Sequence, residues 1–139
     1  MRETMLVCLA TATLSGCSLS SGQELFDVVD SAAPRVVRTL PADGWIEVPR
    51  GMDLKVWFSE PVDPVSIGPQ SMYIASGQEW EACSYLVSED EGGLGLVVLQ
   101  PLKPLIGGVR HELVIGTLVE DLFGNRLTEE LRVQFVSLR

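Results

Sequence analysis

His111 is the only imidazole in the 139-residue chain, so a serine hydrolase would have to be built around it. Such a site needs a nucleophilic serine beside the ring and a carboxylate that orients it. No segment near His111 reads as a nucleophile elbow, and a hydrogen-bonded structural histidine is the better reading. Carboxylates are plentiful at Glu60, Asp63, Glu89-Asp90-Glu91, Glu120 and Asp121. Paired carboxylates can do acid/base work, and several oxygens gathered in a loop can hold calcium. Glu89-Asp90-Glu91-Gly92-Gly93 comes nearest to a calcium loop but lacks the alternating ligands of a dedicated one. Turn formation and a solvated acidic face account for these residues. One histidine and the scattered cysteines Cys8, Cys17 and Cys83 are too few for a multi-histidine zinc site or a disulfide framework. No glycine-rich loop follows a strand to open a helix, so nucleotide binding has no support. The expectation is therefore no catalytic residues, no metal and no cofactor. Trp45, Trp57 and Trp80 leave one opening towards binding: an exposed indole can stack on a sugar face, although packing accounts for them equally well.

The chain is long enough for one domain. Its net charge of −9 and pI near 4.5 would repel phosphate backbones, which excludes nucleic acid as a partner. With 46% hydrophobic and 21% charged residues the usage is globular, and 13 glycines with 8 prolines point to many turns and an all-β fold. Met5 to Leu14 is an apolar run of signal-peptide length, far short of the roughly 20 residues of a membrane-spanning helix. Leu14-Ser15-Gly16-Cys17 follows it and resembles the lipobox of bacterial lipoproteins: a branched apolar residue, two small residues, then the cysteine that takes the lipid. The resemblance implies cleavage before Cys17, a lipid anchor on that thiol and a membrane as partner. Arg2 leaves with Glu3, so the exported part keeps the charge of −9. Cys83 is then left unpaired in a strand-like stretch, where a small buried apolar residue is expected. In a diderm host, Ser18 after the lipid cysteine, in place of Asp, implies transfer to the outer membrane.

Three segments follow: a signal peptide over 1–16, a lipidated terminus and polar tether over 17–33, and a folded domain over 34–139. Within that domain, period-two alternation between turn signals predicts about seven strands. They lie at Arg35–Leu40, Met52–Phe58, Ser71–Ser76, Trp80–Val87, Leu94–Gln100, Val109–Thr117 and Leu131–Leu138. Leu54, Val56 and Phe58 form a core face, with Lys55 exposed and Trp57 pointing outward or under a loop. Pro41-Ala42-Asp43-Gly44 reads as a hairpin-like corner with Asp43 supplying a local hydrogen bond. Pro61 and Pro64 end the Met52–Phe58 strand, because proline supplies no ladder donor.

Val56-Trp57-Phe58-Ser59-Glu60-Pro61-Val62-Asp63 resembles a segment of bacterial Ig-like domains of the SbsA type, found in surface-layer and other exported bacterial proteins. Pro34–Val37 with Pro41–Gly44, Leu99–Leu105 followed by Gly107, and Glu120–Leu127 with its Gly124-Asn125 turn resemble further motifs of that family, in the same order. The resemblance runs from Pro34 onward and implies an all-β, Ig-like β-sandwich. It also places His111 where the family has a tyrosine, which implies a ring packed at a sheet corner. The function implied is that of a membrane-anchored cell-envelope lipoprotein with a non-catalytic interaction or spacer domain, facing an envelope protein or glycan. The alternative is a small carbohydrate- or ligand-binding envelope lipoprotein.

Overall fold

A computed structural model describes residues 31–139; the apolar run, Cys17 and the tether as far as Asp30 lie outside the described residues. Ala32–Arg139 forms one compact unit. Its strands are β1 (Val36–Leu40), β2 (Trp45–Val48), β3 (Leu54–Phe58), β4 (Met72–Ser76), β5 (Glu79–Glu81), β6 (Cys83–Glu89), β7 (Gly95–Pro101), β8 (Arg110–Ile115) and β9 (Leu131–Ser137). One sheet has the order β1-β3-β7-β6 and the other β2-β9-β8-β4-β5. Every pairing is antiparallel except that of β2 with β9. This is an Ig-like β-sandwich. No helix among the described residues is long and apolar enough to cross a membrane.

The alternation seen in the sequence is what builds the core. In β3, Leu54, Val56 and Phe58 are fully buried while Lys55 and Trp57 face outward. Val97 and Leu99 of β7 join them, and Met72, Ile74, Leu113, Ile115, Val133 and Phe135 come from the facing sheet. Arg38, opposite Trp57 in the β1–β3 register, lays its guanidinium 3.9 Å from the indole centroid. The outward tryptophan is thus covered by a cation–π contact. Lys55, expected to be exposed, is half-buried, because the register sets it between Leu40 and Val98, apolar neighbours for its methylene stem.

Three features depart from the sequence reading. The segment read as one strand from Trp80 to Val87 is two: β5 pairs with β4, whereas β6 pairs with β7 in the other sheet. The chain changes sheets at Ala82, whose carbonyl accepts the Leu102 amide at 2.9 Å. The Tyr85 hydroxyl then donates to the Met72 carbonyl at 2.6 Å and ties the two sheets together. Second, β2 was not expected, because Trp45, Ile46 and Glu47 are all exposed and only Val48 is buried, a pattern without period two. Third, Pro41–Gly44 joins β1 in one sheet to β2 in the other, so it is no hairpin. Asp43 serves this crossing at long range, accepting the Gln134 amide at 2.8 Å, while the Gly44 amide donates to the Gln134 carbonyl at 2.7 Å.

Candidate functional site

His111 is completely buried on β8 and held from both sides. Its Nδ1 lies 2.5 Å from the Ser76 hydroxyl, which donates to the Glu81 carboxylate at 2.8 Å. Its Nε2 lies 3.1 Å from the Ser137 hydroxyl and 3.2 Å from the Ile106 carbonyl, and Ser137 donates to that carbonyl. The ring also stacks on Phe135, with centroids 5.3 Å apart. Serine, histidine and glutamate therefore do meet, but in the wrong order for hydrolysis: the carboxylate holds a serine, and no carboxylate orients the imidazole. The arrangement fills a sheet corner and sets a polar partner within hydrogen-bond distance of each ring nitrogen, which limits the desolvation cost of the buried ring.

Three of the acidic residues, Asp63, Asp90 and Asp121, are occupied by backbone amides. Asp63 accepts the Val65 amide at 3.0 Å and opens the 3-10 turn Pro64–Ser66. Asp90 accepts the amides of Gly92 and Leu94, each at 2.9 Å, and so closes the loop that came nearest to a calcium site. Asp121 is 1% exposed. One of its oxygens accepts the Phe123 amide at 2.8 Å and the Asn125 amide at 2.9 Å, while the other accepts the Asn125 side chain at 2.9 Å. Gly124 supplies the backbone at φ +88° that this turn needs, a region a Cβ disfavours. Burial pushes the Asp121 carboxyl up, but hydrogen bonds from the side chain and backbone of Asn125 and from the Phe123 amide outweigh it and hold the pKa below 3.8. Among the described residues no three His, Cys, Asp or Glu side chains converge as metal ligands would.

Cys83 packs half-buried against the core, and its thiol is pushed up to about 11, chiefly by burial and then by the nearby Glu81. A thiol so protonated is a poor nucleophile.

The outer face of the five-stranded sheet carries a constellation that sequence reasoning missed. Trp80 on β5 is 62% exposed and stacks on Tyr73 of β4, with centroids 4.5 Å apart and planes at 19°. The register sets Trp80 opposite Ala75, Ala75 opposite Glu112 and Glu112 opposite Gln134, a single row across four strands. Glu112 accepts Arg132 on one oxygen at 3.0 Å and the Gln134 side chain on the other at 3.1 Å. Arg132 is gripped in turn by Glu130 at 2.7 Å. Between Tyr73 and Arg132 sits Val114, buried although it faces away from the core. Only the indole was visible in the sequence; the row needs pairings between strands up to about forty residues apart.

A two-sheet sandwich whose first strands divide between the sheets is an Ig-like domain. The chain belongs to the bacterial Ig-like domain family, whose sequence profile matches residues 30–137. No curated protein sequence matches it. Among solved structures it is similar to the S-layer protein rSbsC(31-844), at 17% identity and a TM-score of 0.53 over 86% of this chain. The match spans 15% of that S-layer chain. It is also similar to the N-terminal part of the bacterial S-layer protein SbsC, at 18% identity and a TM-score of 0.51 over 86% of this chain and 26% of that one. PcoC, a methionine-rich copper resistance protein from Escherichia coli, matches at 15% identity and a TM-score of 0.53 over 75% of this chain and 97% of its own. At these identities the likeness is one of fold.

Proposed function

We propose that the protein is a cell-envelope lipoprotein, held to a membrane by a lipid on Cys17, whose Ig-like domain serves as a non-catalytic interaction or spacer module. The observation that carries the non-catalytic part is the commitment of its reactive side chains: His111 is sealed inside the sandwich, and Asp63, Asp90 and Asp121 are tied to backbone amides. The anchor rests on Leu14-Ser15-Gly16-Cys17 directly after an apolar run. An exported chain with a charge of −9 has little affinity of its own for an anionic bilayer, whereas two or three acyl chains are enough for stable anchoring. Membership of the bacterial Ig-like family and a fold shared with S-layer and copper-resistance proteins fit an envelope location. In a diderm host Ser18 directs the protein to the outer membrane.

The test is fractionation with mass spectrometry of the N-terminus. The wild type should sediment with membranes and carry a lipidated Cys17, and Cys17→Ser should be released or stall as the precursor. An unmodified N-terminus with unchanged membrane association would overturn the reading. The alternative, a small carbohydrate-binding envelope lipoprotein, is favoured by one observation: the exposed indole of Trp80 on its Tyr73 support.

A further inference from the structure

We infer that the outer face of the five-stranded sheet is a binding platform for a neutral, β-linked pyranose glycan, with Trp80 and Tyr73 as its stacking surface and Glu112 and Gln134 as its hydroxyl-binding edge. The inference rests on reading the domain as a binding module, and it is independent of the anchor on Cys17.

An indole that is 62% exposed contributes little to a core, yet this one is held at a fixed angle by a ring stacked behind it. One face of the indole is covered by Tyr73, which leaves the other for a ligand. A pyranose with equatorial substituents presents a flat patch of axial C–H bonds to such a face, and aromatic side chains favour this contact at low entropic cost. Next in the row is Ala75, whose short side chain leaves a low floor, and beyond it stands Glu112. Neighbouring strands are about 4.8 Å apart, so Trp80 and Glu112 are separated by about 10 Å, room for one sugar ring.

The far edge of the row is prepared for hydroxyls. Arg132 and Gln134 each take one lone pair on the two oxygens of Glu112, and a carboxylate keeps about four acceptor sites in all, so two remain for ligand O–H groups. The strand beneath is fixed because the Gln134 amide and carbonyl are both bonded to the Asp43–Gly44 turn. A protein partner fits this face less well: outside the two rings it offers Ala75, Glu112, Gln134 and Arg132, whereas the centre of a protein interface is depleted in charge. Acidic residues on the row and a net charge of −9 disfavour a polyanion.

The experiment is co-sedimentation of the full-length protein, in mild detergent, with insoluble glycans: chitin and cellulose as neutral β-linked arms, and amylose as an α-linked arm. Retention on at least one β-linked glycan and not on amylose is expected, and the arm that retains the protein identifies the source of the sugar. Trp80→Ala should weaken retention at least tenfold, Trp80→Tyr should restore most of it, and Glu112→Ala should weaken it severalfold. Trp45→Ala should leave it unchanged. Circular dichroism melts of each variant confirm that the fold is intact. No retention on any β-linked glycan, or retention indifferent to Trp80, overturns the platform and leaves the anchoring reading standing. Specific retention by a protein whose Cys17 is unmodified would do the reverse.

Discussion

Asp121 illustrates how much a single side chain can be asked to hold. Its two oxygens accept three donors from Phe123 and Asn125, and Asp121 is itself only 1% exposed. Asp121→Ala should therefore cost about 3 kcal/mol, the scale of a charged acceptor with its donors left unsatisfied, and more than the roughly 1 kcal/mol of one ordinary hydrogen bond. Chemical denaturation would measure it. The pH dependence has a definite sign. Because the folded-state pKa is lowered, the stabilisation is complete at neutral pH, begins to fade as the pH drops towards the ordinary 3.8, and is lost as the pH passes through the folded value. Asp121→Asn should flatten that part of the acid transition. Calcium should not alter the melting temperature of either form. A rise of several degrees in the wild type alone would turn the turn into a metal site.

At the scale of elements, the close approach of β7 to the end of β3 decides what the sheet tolerates. A Cβ on Gly95 would stand 2.4 Å from the Glu60 carbonyl and 3.1 Å from the Pro61 Cα, main-chain atoms that cannot rotate away. Gly95→Ala should cost about 2–3 kcal/mol through overpacking. Phe58→Ala, one residue across the ladder from it, should cost about 3–5 kcal/mol through a cavity. Thermal melts would rank both; a silent Gly95→Ala would mean that the two strands can part without penalty. These elements also show what was legible beforehand. The alternation of β3 is complete, and its buried face follows directly from it. The passage from β5 to β6 keeps the alternation running through Ala82 while the hydrogen-bond partners change, so no periodicity could mark the sheet change. The four-residue β2 owes its existence to β9, some ninety residues away, and its own side chains are mostly solvated. His111 was legible as structural but not its partners, since Ser76, Ile106 and Ser137 are brought to it only by the packing of separate strands.

For the whole molecule, charge is unevenly spread. The loops at the pole where the chain enters carry Glu60, Asp63, Glu89 to Glu91, Glu120, Asp121 and Glu129-Glu130 against Arg35 and Arg126. Repulsion there outweighs the few exposed ion pairs, such as Arg126 with Glu120, which are worth at most about 1 kcal/mol each. Added sodium chloride should therefore raise the melting temperature by a few degrees by screening self-repulsion. A fall on adding salt would show instead that the Arg126 and Arg132 pairs dominate.

The parallel pairing of β2 with β9 has a consequence in time. A chain is made from its N-terminus, and Trp45 cannot meet Phe135 until nearly the whole domain exists. Until then β2 has no neighbour in its sheet, and β8 presents a bare edge on the side that β9 will occupy. The sandwich is closed by its last strand, like a box whose lid is made after its contents. Between synthesis and closure the unfinished domain offers strand edges that β9 covers once it docks.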